Sequence, residues 1–238
     1  MKKTVGVLIV VGLVLNGSEA RAQTAPDNRT FFEINVGAQV LTPTLDAGSS
    51  FLQFGETGTV RTIQKGGGGL LVDARLGHRI GRRLAFAVAV SGFRKEAAGQ
   101  GQVSLPSPIV VASPTVVTVE VSGLTRREIG YHPQVVWFVP WTRRMFDLSV
   151  FAGPSLVRLQ QNVIAATLST PQTVTTSTQN ESGTAFGGNV GADATRLLSN
   201  RWGVGFLARY VLAVVDLPSA SGVKVGGLQI AAGLRFKF

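Results

Sequence analysis

Cysteine is absent from the 238-residue chain, so neither a disulfide framework nor a lipid-modified cysteine is open to it, and its stability must come from the fold alone. Long apolar runs are missing as well. Beyond residue 15 none approaches the roughly 20 residues that a spanning helix needs; the longest, such as Leu84 to Val90 and Val135 to Val139, suit strands. A membrane protein without such helices must be a closed barrel, because lipid leaves every unpaired backbone N–H and C=O unsatisfied. Charge is sparse, at 15% of residues, whereas glycine is plentiful at 29. That balance fits a barrel wall with small inward residues better than a helical enzyme. No linker marks a second domain, and the length suits one all-β domain.

What is present begins with two lysines, an apolar run from Val5 to Leu15 and the small-x-small triplet Ala20-Arg21-Ala22. This three-part pattern reads as a cleavable secretory signal peptide over 1–22, followed by a short lead over 23–29 and a barrel over 30–238. Removing the signal leaves 20 basic and 12 acidic residues, a net +8 against +10 for the whole chain. Such an excess can serve nucleic acid, but the secretion signal argues against it, and the basic residues do not cluster with aromatics. A phosphate-rich lipid surface is the expected partner.

From residue 30 onward the hydrophobicity alternates with period two, as in strands that face lipid on one side and a polar interior on the other. Phe32, Ile34, Val36, Ala38 and Val40 oppose Glu33, Asn35, Gly37 and Gln39. Leu70, Val72, Ala74, Leu76 and Ile80 oppose Asp73, Arg75, Gly77 and Arg79. Six further segments follow the same rule, near Leu84–Ser91, Tyr131–Trp141, Phe146–Ser155, Phe186–Thr195, Trp202–Leu212 and Leu228–Phe238. Val88 is thereby assigned to lipid and Val136 to the lumen, where an arginine should cost less if the interior can pair it. Eight segments alternate between short turns (Gly81-Arg82-Arg83, Thr142-Arg143-Arg144, Ser199-Asn200-Arg201) and longer connections (43–68, 96–124, 161–182 and a shorter one around 218–222). The β-branched stretch SPIVVASPTVVTVEV suggests that the strands flanking the second long connection continue as a hairpin beyond the membrane. Trp141, Phe146, Trp202, Phe236 and Phe238 gather at the short-turn end as one aromatic girdle.

The chain ends on an alternating strand with an aromatic, Leu228-Gln-Ile-Ala-Ala-Gly-Leu-Arg-Phe-Lys-Phe238. In this it resembles the closing strand of bacterial outer-membrane barrels. Over about Thr30 to Phe238, with FAGPSLVRLQQ (Phe151 to Gln161) as a supporting segment, it resembles the OmpA/OmpX-like small-barrel family. The resemblance implies an eight-stranded antiparallel up-and-down transmembrane barrel in the bacterial outer membrane. It also implies Phe238 and Phe236 as an assembly signal read by the barrel-assembly machinery, contact with outer-membrane lipid and lipopolysaccharide, and long extracellular loops able to meet a surface ligand.

Candidate chemistry is confined to the inward face. Glu33, Asp73, Asp147 and Asp193 stand against Arg75, Arg209 and Arg235, with Arg79 and Lys237 nearer the periplasmic rim. An eight-stranded barrel is only wide enough for side chains to fill, so these charges are expected to pair and plug the lumen, because unpaired buried charge is expensive. A narrow ion path is the alternative. The acids are spread over separate strands with arginines between them, which speaks against a metal site. Of the two histidines, His78 falls on the lipid side and His132 points inward; neither sits in a His-x-Ser element, and His132 is read as a hydrogen-bonding lumen residue rather than a general base. Gly203-x-Gly205-x-x-Ala208 has the outline of a dinucleotide fingerprint but lies within a strand. The run Gly66 to Gly69 lacks the Lys-Ser/Thr of a phosphate loop. The expectation is a non-enzymatic barrel without cofactor that acts structurally or at the cell surface; a passive porin-like conduit is the alternative.

Overall fold

The computed structural model describes residues 29–42, 44–53, 56–64, 66–105, 115–140, 146–168 and 174–238. The expected signal peptide at 1–22 and all of the lead but Arg29 lie outside the described residues, as do Trp141 and the Thr142-Arg143-Arg144 turn. Ten strands follow in order: β1 (Thr30–Gln39), β2 (Leu45–Gln53), β3 (Glu56–Gln64), β4 (Gly69–Arg79), β5 (Leu84–Leu105), β6 (Thr115–Val139), β7 (Phe146–Leu168), β8 (Val174–Leu197), β9 (Trp202–Leu217) and β10 (Ala220–Lys237). Eight of them close a ring of antiparallel neighbours, β1-β4-β5-β6-β7-β8-β9-β10 and back to β1. At the seam Phe238 N donates to Thr30 O at 2.8 Å and Thr30 N donates to Phe238 O at 3.2 Å. The ring thus has no free edge at this end.

The faces follow the period-two pattern. Ile34 and Val36 of β1, Leu76 of β4, Phe86 and Val88 of β5, Val135 of β6, Val150 of β7, Val190 of β8, and Phe206 and Tyr210 of β9 all present large apolar side chains outward. Glu33, Arg75, Asp73, Gln134, Asp193 and Arg209 point inward and are buried. An apolar outside around a polar inside is the inverse of a soluble sheet and the arrangement that lipid requires. No helix among the described residues is long and apolar enough to cross a membrane; strands do the crossing.

Two of the expected long connections are strand. Most of the described part of 43–68 is strand, not loop: β2 and β3 pair with each other, so the described residues form ten strands of which eight make the ring. Its Gly, Ser and Thr content reads as loop, yet Thr57, Thr59, Val60, Thr62 and Ile63 are β-branched, and β3 pairs with the upper part of β5 from Thr59↔Ser104 to Gln64↔Gly99. Likewise 161–182 is mostly ladder, because β7 and β8 stay paired from Phe146↔Arg196 to Leu168↔Val174. The continuation of the strands on both sides of 96–124 is observed: β5 and β6 pair up to Leu105↔Thr115. At 22 to 25 residues, β5 to β8 are at least twice the roughly 9–11 that a membrane-crossing strand needs.

The wall therefore has two tiers. In the lower one β1 and β4 lie between β10 and β5; in the upper one the β2–β3 hairpin stands in their place. Gly48 N donates to Ser219 O at 3.1 Å, tying β2 to the β9–β10 turn. The change of tier needs a close backbone approach at Gly227 (φ 134°), where a Cβ would lie 1.6 Å from Leu41 O.

Candidate functional site: the filled lumen

Inside the lower tier the carboxylates and guanidinium groups meet in matched pairs. Arg75, on β4, sends Nε to Glu33 Oε2 at 2.9 Å and Nη2 to Glu33 Oε1 at 2.8 Å from the neighbouring β1. This fork-on-carboxylate geometry is the strong form of the interaction. Arg235 of β10 reaches Asp193 of β8 at 2.5 Å and donates to Asn35 Oδ1 at 2.6 Å. Arg209 of β9 crosses the lumen to Asp73 of β4 at 2.7 Å and donates to Gln229 at 2.8 Å. The pairs are themselves linked: Arg75 lies 3.7 Å from Asp193, Arg235 lies 3.4 Å from Glu33, and Asn35 donates to Asp73 at 3.2 Å. The spare Nη1 of Arg75 has no hydrogen-bond acceptor, but its guanidinium carbon is 4.8 Å from the centre of the Phe151 ring and 5.8 Å from that of Phe31. The ring faces supply the missing electrostatic partner.

Asp147 stands apart from these three pairs. It sits at the rim, where Arg79 approaches to 3.4 Å and Lys237 closes on the same oxygen. Arg79 in turn stacks over Phe138 at 3.7 Å, and Phe138 meets Phe31 edge-on. Phe146 and Trp202 project outward at this end of the wall, Phe236 pairs with Trp202 and Phe32 across the strands, and Phe238 is exposed at the seam.

Several buried polar groups do not belong to the expected set. Arg126 and Glu128, two residues apart on β6, form a pair at 2.6 Å; Gly226 N donates to Glu128 Oε2 at 3.0 Å and Arg126 donates to Lys224 O at 3.1 Å. Gln39 bridges to Gly226 O and accepts from Gln229, joining this pair to the central network. The signal for them is parity: counting back by twos from inward His132 reaches Glu128 and Arg126, a count cut short by starting that strand at Tyr131, whereas β6 begins at Thr115. His132, fully buried, lies with Nε2 2.9 Å from Ser91 Oγ and Nδ1 2.8 Å from Ser155 Oγ. Asn189 donates to Ser155 Oγ at 3.0 Å and accepts from Gln134 at 2.8 Å. Two serines therefore flank the histidine from β5 and β7, far from it in sequence, so the local search for His-x-Ser missed them. Both ring nitrogens are engaged by hydroxyl groups, and the trio is buried inside the barrel wall.

Around and above the Arg126–Glu128 pair the lumen also carries an apolar cluster. Val157, Leu159, Val163, Val211, Val215 and Val225 pack into one buried cluster under the upper wall. Beyond it Thr62 of β3 accepts from Ile164 N of β7 at 3.4 Å across the interior. A cavity near the rim, lined by Glu33, Asp147, Asp193 and Arg235 among others, measures about 20 Å³, room for about one water.

A continuous apolar exterior around a ring of eight antiparallel strands decides the architecture. The chain is built as a small eight-stranded antiparallel barrel with a lipid-facing wall. Solved structures similar to it include Neisserial surface protein A (15% identity over 89% of this chain and 97% of that one, TM-score 0.47). They also include the attachment invasion locus protein Ail of Yersinia pestis, determined with the heparin analogue sucrose octasulfate (11%, 87% and 99%, TM-score 0.39), and the outer membrane protease OmpT of Escherichia coli (9%, 92% and 99%, TM-score 0.39). No family model matches the chain, and no curated protein does.

Proposed function

We propose that the chain is a non-enzymatic outer-membrane protein with a structural or surface-interaction role: the lower tier anchors, the lumen seals, and the upper tier acts outside the cell. The observation that carries this reading is the excess strand length. Extending β5 to β8 as paired ladder well past the apolar band, and completing their wall with a dedicated β2–β3 hairpin, builds a rigid projecting surface that neither anchoring nor conduction requires. The filled interior supports the same reading over the porin-like one, because the ion pairs and the apolar cluster occupy the path a solute would take. His132, held by two serines and remote from lipid, supports the non-enzymatic assignment.

The absence of native cysteine gives a clean test. Ser221→Cys, exposed at the start of β10 beside the β9–β10 turn, is expected to react with a membrane-impermeant maleimide on intact cells. Labelling only after the outer membrane is broken would place the upper tier on the wrong side. Deleting 162–180 from the β7–β8 extension is expected to leave the barrel in the membrane and to abolish any gain in attachment of displaying cells to immobilised matrix proteins. Attachment unchanged by the deletion would argue against the upper tier as the acting surface.

A further inference from the structure

Where the outward face of the barrel changes from apolar to polar, three arginines stand on three consecutive strands. Arg94 of β5 lies directly opposite Arg127 of β6, and Arg158 of β7 lies opposite Ile129, which puts it diagonally beside Arg127. Like charges directly opposite each other on one face of a sheet are destabilising. Arg94 is answered by Glu96. Arg127 and Arg158 meet no carboxylate among the described residues. They border a cleft of about 370 Å³ on the outside of the wall, whose floor is made by Leu70, Val72, Gly92 and Ile129. Gly92 sits between Val72 and Ile129 in the register, and a Cβ placed on it would meet open space, so the floor carries a slot one side chain wide.

We propose that this cleft binds a phosphorylated glycolipid of the outer leaflet, one acyl chain lying in the Gly92 slot and a headgroup phosphate held by Arg127 and Arg158. The inference rests on the membrane placement given above and specifies one lipid contact within it. Charge complementarity selects the ligand: two unanswered guanidinium groups at the apolar boundary match a phosphate at headgroup depth, which they can grip with paired N–H donors. The apolar slot beneath them selects an acyl chain attached to that phosphate over a free anion. An anion here also relieves the Arg94–Arg127 juxtaposition, so the site is expected to stabilise the upper wall when filled.

The test uses the full-length barrel, purified folded in detergent and probed with diphosphoryl lipid A by native mass spectrometry. One lipid A per barrel is expected to be retained, with affinity falling about tenfold or more in Arg127→Glu/Arg158→Glu and for dephosphorylated lipid A. Gly92→Leu fills the slot without touching charge and is expected to weaken retention as well. Heat-modifiable gel mobility reports that each variant is folded, and Ser221→Cys labelling in each background reports that the membrane placement holds. Equal retention by wild type and the charge-reversed variant, or by phosphorylated and dephosphorylated lipid, overturns the proposal. Full displacement by millimolar inorganic phosphate overturns the lipid assignment in favour of a free anion.

Discussion

Asp73 and Arg209 are both about 1% exposed and pair with each other at 2.7 Å, so their value is set by what happens when one is removed. Asp73→Asn keeps the shape but leaves a buried guanidinium with Gln229 as its near acceptor; a loss of about 3–5 kcal/mol is expected in the dry limit, read by reversible urea titration in lipid vesicles. Removing both charges, Asp73→Asn with Arg209→Met, should recover most of that loss. A double variant as unstable as the single one would show that the pair is not the unit. Asp147→Asn should cost no more than about 1 kcal/mol, since its side chain is 32% exposed at the rim. Valine tells the two faces apart. Val88 meets lipid, and Val88→Arg should cost about 2–4 kcal/mol at mid-depth. Val136, expected from the sequence to tolerate an arginine if the lumen could pair it, is packed with Phe151, Leu71 and Phe93 in a filled cluster, and the arginine stacked on Phe151 is already matched. Val136→Arg is therefore expected to be the more damaging of the two, through overpacking and an unanswered charge.

The strands that cross the membrane were legible because lipid outside and polar groups inside write a period of two into the chain, as in Phe32 to Val40 against Glu33 to Gln39. The upper tier was not. Once both faces of a ladder leave the lipid, the outward residues turn to Thr, Ser, Gln and Gly, and β2, β3 and the ends of β7 and β8 look like loop composition although their β-branched residues fit a pleated ladder. The lumen partners were half legible for a similar reason: parity assigns Asp73 and Arg209 to the interior, but which acid meets which arginine depends on stagger between strands that no local pattern records. The end of β10 is where sequence and structure bear on one event. Phe238 contributes its backbone to the seam with Thr30 and its ring to the exposed edge of the wall. Deleting Phe238 is expected to lower outer-membrane insertion while leaving export intact, whereas Phe238→Tyr should insert nearly normally. Unchanged membrane yield for the deletion in fractionation would remove the last residue from the closing role.

For the molecule as a whole, the question is whether eight strands enclose a path. Three barriers lie in series. At the rim, Asp147, Arg79 and Lys237 close over Phe31 and Phe138; midway, the Glu33–Arg75, Asp193–Arg235 and Asp73–Arg209 pairs interlock; above them the apolar cluster around Leu159 and Val211 is capped by the contact of Thr62 with Ile164. An ion would have to break the central pairs and then pass the apolar cluster that packs beside the Arg126–Glu128 pair, and each step alone is costly. The wild-type barrel is therefore expected to be nearly silent in a planar bilayer. Because the barriers are in series, opening one should not open the others: Asp73→Asn should lower stability without producing a current, and deleting the β2–β3 hairpin should remove the cap yet leave conductance low. A steady, ion-selective current through the wild-type protein, altered in selectivity by Asp73→Asn and with little change in stability, would mean that the charges line a path instead of filling it. The anchored surface would then give way to a conduit as the reading of this fold.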